Sequence, residues 1–164
     1  MVSFKFKKAV KRTLHVSAIA VSAFFINSCS SVSYLWDVQT QTESVTLSAA
    51  PGANKDFPVA VDIVAVKEKA FAQVLAETPA KTWFQQRSDF MASNPDVMWV
   101  RGFELVPGQT IDGIEFSFDD RRSYSAVFVY AEYVAPGTHR ARIETFEKPK
   151  IVLGPNSIRV EDTE

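Results

Sequence analysis

Four places in the chain carry side chains able to do chemistry. Cys29 is the one thiol in 164 residues, so no disulfide can close within the chain. A lone thiol offers nucleophilic attack or acylation. Downstream of it, His139 is the one histidine, beside the turn Pro136-Gly137. Asp62 stands inside a β-branched apolar run, and Asp119-Asp120 is followed at once by Arg121-Arg122. A serine or cysteine nucleophile would have to use His139 as its base, and no Gly-x-Ser-x-Gly elbow accompanies it. Structural zinc lacks its ligands. A glycine-rich phosphate loop is also missing. Asp119-Asp120 could hold a cation, but against two arginines it reads as a solvated hairpin turn. Asp62 is expected to face solvent or to pair with an arginine. The pattern points away from an enzyme and from any cofactor, and leaves a binding or structural role.

The thiol has a context of its own. Lys5, Lys7, Lys8, Lys11 and Arg12 form a basic start with no acidic residue among them. An apolar run follows over 16–26, broken only by Ser17 and Ser22. Eleven residues are too few to span a bilayer, which takes about 20, but they suit the apolar region of a signal peptide. Ile26-Asn27-Ser28-Cys29 then resembles the lipobox of bacterial lipoprotein precursors, with Asn27 where a small or hydroxylated residue is usual. The expected outcome is cleavage after residue 28 and lipid on Cys29. Two or three acyl chains hold firmly, since each buried CH₂ contributes about 0.8 kcal/mol. Ser30 rather than Asp follows the cysteine, which by analogy with enterobacterial sorting points to the outer membrane, facing the periplasm.

The remaining chain must position whatever the anchor carries. Removal of residues 1–28 takes away five basic and no acidic side chains, which leaves 13 basic against 19 acidic and a net charge of −6. That balance argues against nucleic acid as a partner, because phosphate binding needs a basic face. Residues 29–44, rich in Ser, Thr and Gln around Tyr34-Leu35-Trp36, read as the lipidated end and a tether. Residues 45–164 are enough for one domain with a moderate core.

Within that domain the periodicity predicts strands at Ser44–Ala49, Val59–Val66, 97–105, 113–118, 123–134, 140–146, 151–153 and 157–160, separated by Gly, Pro and Asn turns. Two helices are predicted at 68–77 and 79–91, with Thr78 as N-cap and Pro79 in the first turn of the second. Trp83, Phe84, Phe90 and Met91 fall on about one face of that helix and should pack an insertion, about 68–92, onto the strands. The fold class is mainly β, a two-sheet sandwich with a helical insertion.

Several segments, in order, resemble the TssJ (SciN) family of type VI secretion outer-membrane lipoproteins: VTLSA at 45–49, PVAVDIV at 58–64, FELVPGQ at 103–109, YSAVFVYAEY at 124–133, IVL at 151–153 and NSIRV at 156–160. The resemblance implies a transthyretin-like β-sandwich held at the outer membrane. It implies binding to the periplasmic C-terminal region of the inner-membrane protein TssM, with no catalysis. In that family the loop between the first two strands meets the partner, which here selects Gly52, Ala53, Asn54, Lys55, Asp56 and Phe57. This loop is shorter than is usual there, and the helical stretch is longer. A periplasmic lipoprotein that binds a small ligand or a cell-envelope component is the alternative, and a deep apolar pocket with convergent polar groups would mark it.

Overall fold

The computed structural model describes residues 40–115 and 124–162. The chain divides into two units, Met1–Trp36 and Asp37–Glu164, and every described residue belongs to the second. Cys29 and its lipobox, Tyr34, Trp36 and the Asp119–Arg122 turn lie outside the described residues.

Eight strands follow one another as β1 (Ser44–Ala49), β2 (Val59–Val66), β3 (Met98–Leu105), β4 (Thr110–Glu115), β5 (Ala126–Ala131), β6 (Arg140–Arg142), β7 (Pro149–Leu153) and β8 (Ile158–Asp162). Helices α1 (Lys69–Glu77) and α2 (Ala80–Ser93) stand between β2 and β3. The strands form two four-stranded sheets, β4-β1-β7-β8 and β3-β2-β5-β6. All pairs are antiparallel except β1 with β7. This is the expected two-sheet sandwich with two inserted helices.

Alternation explains which residue goes where. Val59, Val61, Ile63 and Ala65 of β2, with Val127, Val129 and Ala131 of β5, enter the core between the sheets. There they meet Val45, Leu47 and Ala49 of β1 and Ile151 and Leu153 of β7. The other parity of the same two strands, Val64, Val66, Phe128 and Tyr130, forms a second core beneath α1 and α2 with Leu75 and Trp83. Because β2 and β5 are covered on both faces, they read as continuous apolar runs rather than as alternating ones.

Several boundaries move. Strand β4 starts at Thr110 rather than 113, because Ser48 and Thr110 pair across the ladder and share a 3.0 Å hydroxyl bond; the expected residues 116–118 lie outside the described ones. Strand β6 ends at Arg142 rather than 146. Past that point the Glu144 carboxylate, not a backbone carbonyl, accepts from the Val127 N–H, and Arg142 pairs with Glu144. Strand β5 stops at Ala131 rather than 134. Thr78 does not cap α2: its hydroxyl donates to the Val74 carbonyl at 2.8 Å and closes α1, while Pro79, in extended conformation, precedes α2. Asn94 donates to the Phe90 carbonyl and ends α2. Met91 is exposed rather than packed.

The expected tether also ends in ordered structure. Thr40 and Thr42 are buried. Their hydroxyls donate to the Tyr124 and Ile143 carbonyls, and the N–H groups of Gln41 and Glu43 donate to Glu144 and Glu147.

Candidate functional site

The loop between β1 and β2 has an unusual backbone. After Gly52 at φ +77, Asn54, Lys55 and Asp56 all take left-handed conformations, with φ of 49, 58 and 66°. Such a conformation costs an L-residue about 1–2 kcal/mol, least for Asn and Asp. The side chain of Asn54 holds the run in place. Its amide nitrogen donates to the Pro58 carbonyl at 3.0 Å, and its oxygen accepts the Val134 N–H at 2.7 Å. Its backbone N–H donates to Gly154, and its carbonyl accepts from Phe57.

The six residues singled out by the sequence therefore divide. Ala53 and Asn54 are buried and shape the loop from inside. Gly52 is half-buried, and Lys55, Asp56 and Phe57 reach the surface. The left-handed backbone and the Asn54 bonds fix how these three side chains are presented.

Three other loops meet this one. β2 runs away from it, while β3 and β5 run antiparallel to β2 and so end beside it. The 106–109 turn is tied to β1 by Gly108 N–H to Ala49 and Ala49 N–H to Gln109. In the 132–139 loop the Tyr133 hydroxyl lies 3.1 Å from the carbonyls of Gly154 and Ser157, in the 154–157 turn. Burial pushes the Tyr133 phenol up to about 12, against the opposing effect of its bond to Gly154. His139, at φ 41°, stacks on Tyr133 with ring centres 4.5 Å apart. Its Nε2 lies 2.8 Å from the Ala135 carbonyl, so Nε2 carries the proton. It serves to pack the loop.

A cleft of about 420 Å³ lies between the start of α2 and this loop, lined by Pro79, Lys81, Thr82, Glu132, Val134 and His139 among others. Among the described residues no three His, Cys, Asp or Glu side chains converge as a metal site. Val106 and Val134, exposed in loops next to the expected one, were not singled out from the sequence. Their signal was a valine shortly before a Pro-Gly turn, where a polar residue is the norm.

Asp62 falls on the helix-facing side of β2. Its carboxylate accepts from Trp83 Nε1 at 2.9 Å and from Arg87 Nη1 at 3.0 and 3.2 Å. It pairs with an arginine, as one of the two expectations had it, and holds the insertion to the sheet.

No family model matches the chain, and no curated protein matches it in sequence. Solved structures do match. The T6SS lipoprotein TssJ1 from Pseudomonas aeruginosa aligns with a TM-score of 0.57 at 18% identity, over 76% of this chain and 98% of that one. A chain of a type VI membrane complex aligns with a TM-score of 0.57 at 17% identity, over 75% and 99%. A chain in the structure described as the T6SS protein TssM C-terminal domain (869–1107) from EAEC aligns with a TM-score of 0.55 at 15% identity, over 74% and 98%. The chain has the two-sheet fold of the TssJ lipoproteins, with two helices inserted between its second and third strands.

Proposed function

We propose that this chain is the lipid-anchored outer-membrane component of a type VI secretion membrane complex. In this reading Cys29 is acylated, and the domain binds the periplasmic C-terminal region of a TssM protein through the 52–57 loop. The observation that carries it is the fold match, which takes in nearly the whole length of TssJ1 and of a chain in a structure named for the TssM C-terminal domain. The basic start, the short apolar run and the lipobox-like Ile26-Asn27-Ser28-Cys29 support the anchor. The acidic balance of the mature chain suits a body held off an anionic membrane surface.

Two measurements test it. Radiolabelled palmitate should enter the wild-type chain and not Cys29→Ser, and Cys29→Ser should leave the membrane fraction while still binding its partner. The TssM C-terminal domain from the same organism should bind the purified mature chain in calorimetry. No label at Cys29 would overturn the anchor, and no binding would overturn the partner.

A further inference from the structure

Five large apolar side chains are exposed among the described residues: Phe57, Val74, Met91, Val106 and Val134. Two belong to the helices. The other three sit on three different loops at one end of one sheet, and the register places them in order. Strand β2 lies between β3 and β5. Phe57 comes two residues before β2 begins. Val59 pairs with Leu105, so Val106 leaves β3 opposite Pro58. Val61 pairs with Ala131 and Glu132 N–H still donates to Ala60, so Val134 leaves the ladder on the other side of the same residue. Neighbouring strands are about 4.8 Å apart. Continued past the last pairs, that register brings Val106, Phe57 and Val134 side by side across the sheet end, over a width of about 10 Å. They are 52, 58 and 62% exposed.

We propose that this row is the contact surface for the partner, a three-loop interface in place of a single-loop one. The inference rests on the reading that the partner is a TssM C-terminal domain, and it says which surface that domain covers: a protein face with an apolar patch about three side chains wide and a polar margin.

Three observations argue for that occupant. The row is rigid: Asn54 bonds the Phe57 loop to Val134, and the Val106 turn closes on itself through Gln109 N–H to Val106 and Val106 N–H to the Gln109 side chain. Fixed loops lose little freedom on binding. The exposed charges around it, Lys55, Asp56, Lys81, Glu104 and Glu132, are of both signs with acidic groups in excess, which suits a protein margin better than an anionic membrane. Every point at which the described chain stops, Thr40, Glu115, Tyr124 and Asp162, lies at the opposite end of the sandwich, as the pairings Ser44 with Glu115, Val66 with Ala126 and Pro149 with Asp162 require. No undescribed segment starts beside the row.

The test is a set of single substitutions in the mature chain carrying Cys29→Ser, titrated with the TssM C-terminal domain by calorimetry. Phe57→Asp, Val106→Asp and Val134→Asp should each weaken binding about tenfold or more, the loss expected for a central apolar contact. Val74→Asp and Met91→Asp, also exposed but on the insertion, should leave it within about twofold. Circular dichroism on each variant separates lost contact from lost fold. If only Phe57→Asp weakens binding, the three-loop row is wrong and the partner assignment stands. If the row variants bind like wild type, the row is wrong in the same way. If wild type itself does not bind, the partner assignment fails first and the row fails with it. Self-association of the wild type, abolished by the same three substitutions, would overturn the proposal in favour of a second copy of this chain. Binding to anionic vesicles lost in the same variants would overturn it in favour of lipid.

Discussion

Asn54 is the residue on which the loop between β1 and β2 depends. It tolerates the left-handed backbone better than most side chains, and its carboxamide satisfies one N–H and one carbonyl that have no partner in the strands. Asn54→Ala should cost about 2 kcal/mol, since it leaves the Val134 N–H unsatisfied and puts alanine in a strained backbone. Urea unfolding would measure it. Lys55 is the complement: it shares the left-handed strain, and its side chain is exposed. Lys55→Gly should therefore raise stability by up to about 1 kcal/mol. A loss instead would mean that the lysine side chain supports the loop and that backbone strain is not the deciding effect.

A buried carboxylate and an aromatic stack are the centre of the contact between the helical insertion and the sheet. Trp83 lies flat against Tyr130 at 4.9 Å and against Phe90 at 5.7 Å between ring centres, and its indole N–H reaches Asp62. Asp62→Ala should cost about 2–4 kcal/mol, because the buried indole N–H loses its acceptor and Arg87 its partner. Arg87→Met should cost less, since that guanidinium is half in water. Gly102 faces Asp62 across the β2–β3 ladder, and a Cβ there would lie 2.9 Å from Asp62 Oδ1. Gly102→Ala should cost about 1–3 kcal/mol and disturb the near-ultraviolet signal of the tryptophans; an unchanged unfolding midpoint would show that the carboxylate yields freely. Much of this was legible in the chain. The β-branched buried run of β2, the strong strand signal of β5 and the helix positions follow from periodicity and composition, while the pairing of Asp62 with an arginine was one of two open readings. What was not legible depends on partners distant in sequence. The left-handed turn at 54–56 is fixed by a bond to Val134, 80 residues away. The early end of β6 depends on Glu144 reaching back to Val127, and the end of the tether depends on carbonyls at 124 and 143–147. Local propensity carries no information about any of these.

At the scale of the whole domain, two phenols tie the insertion and the loops to the sheets. Tyr130 donates to Leu75 and ties α1 to the second sheet, while Tyr133 ties the 132–139 loop to the 154–157 turn. Burial raises both pKa values, with Arg140 partly opposing the effect at Tyr130 and the Gly154 bond opposing it at Tyr133. The sign for stability follows from linkage. Below pH 10, the ordinary tyrosine value, both phenols are protonated in the folded and the unfolded chain, and their contribution is fully present. Above pH 10 the unfolded chain releases these protons while the folded chain keeps them, so unfolding becomes easier with each further step in pH. For Tyr133 the loss runs from about pH 10 to about pH 12. The urea midpoint of the wild type should therefore fall between pH 9 and pH 11. Tyr133→Phe, which has no proton to release, should start from a lower midpoint at pH 9 because the loop-to-turn bond is gone, and should then decline less steeply. Parallel declines for the two proteins would mean that the 132–139 loop and the 154–157 turn are not held by a buried phenol, and the rigidity of the proposed contact end would lose one of its supports.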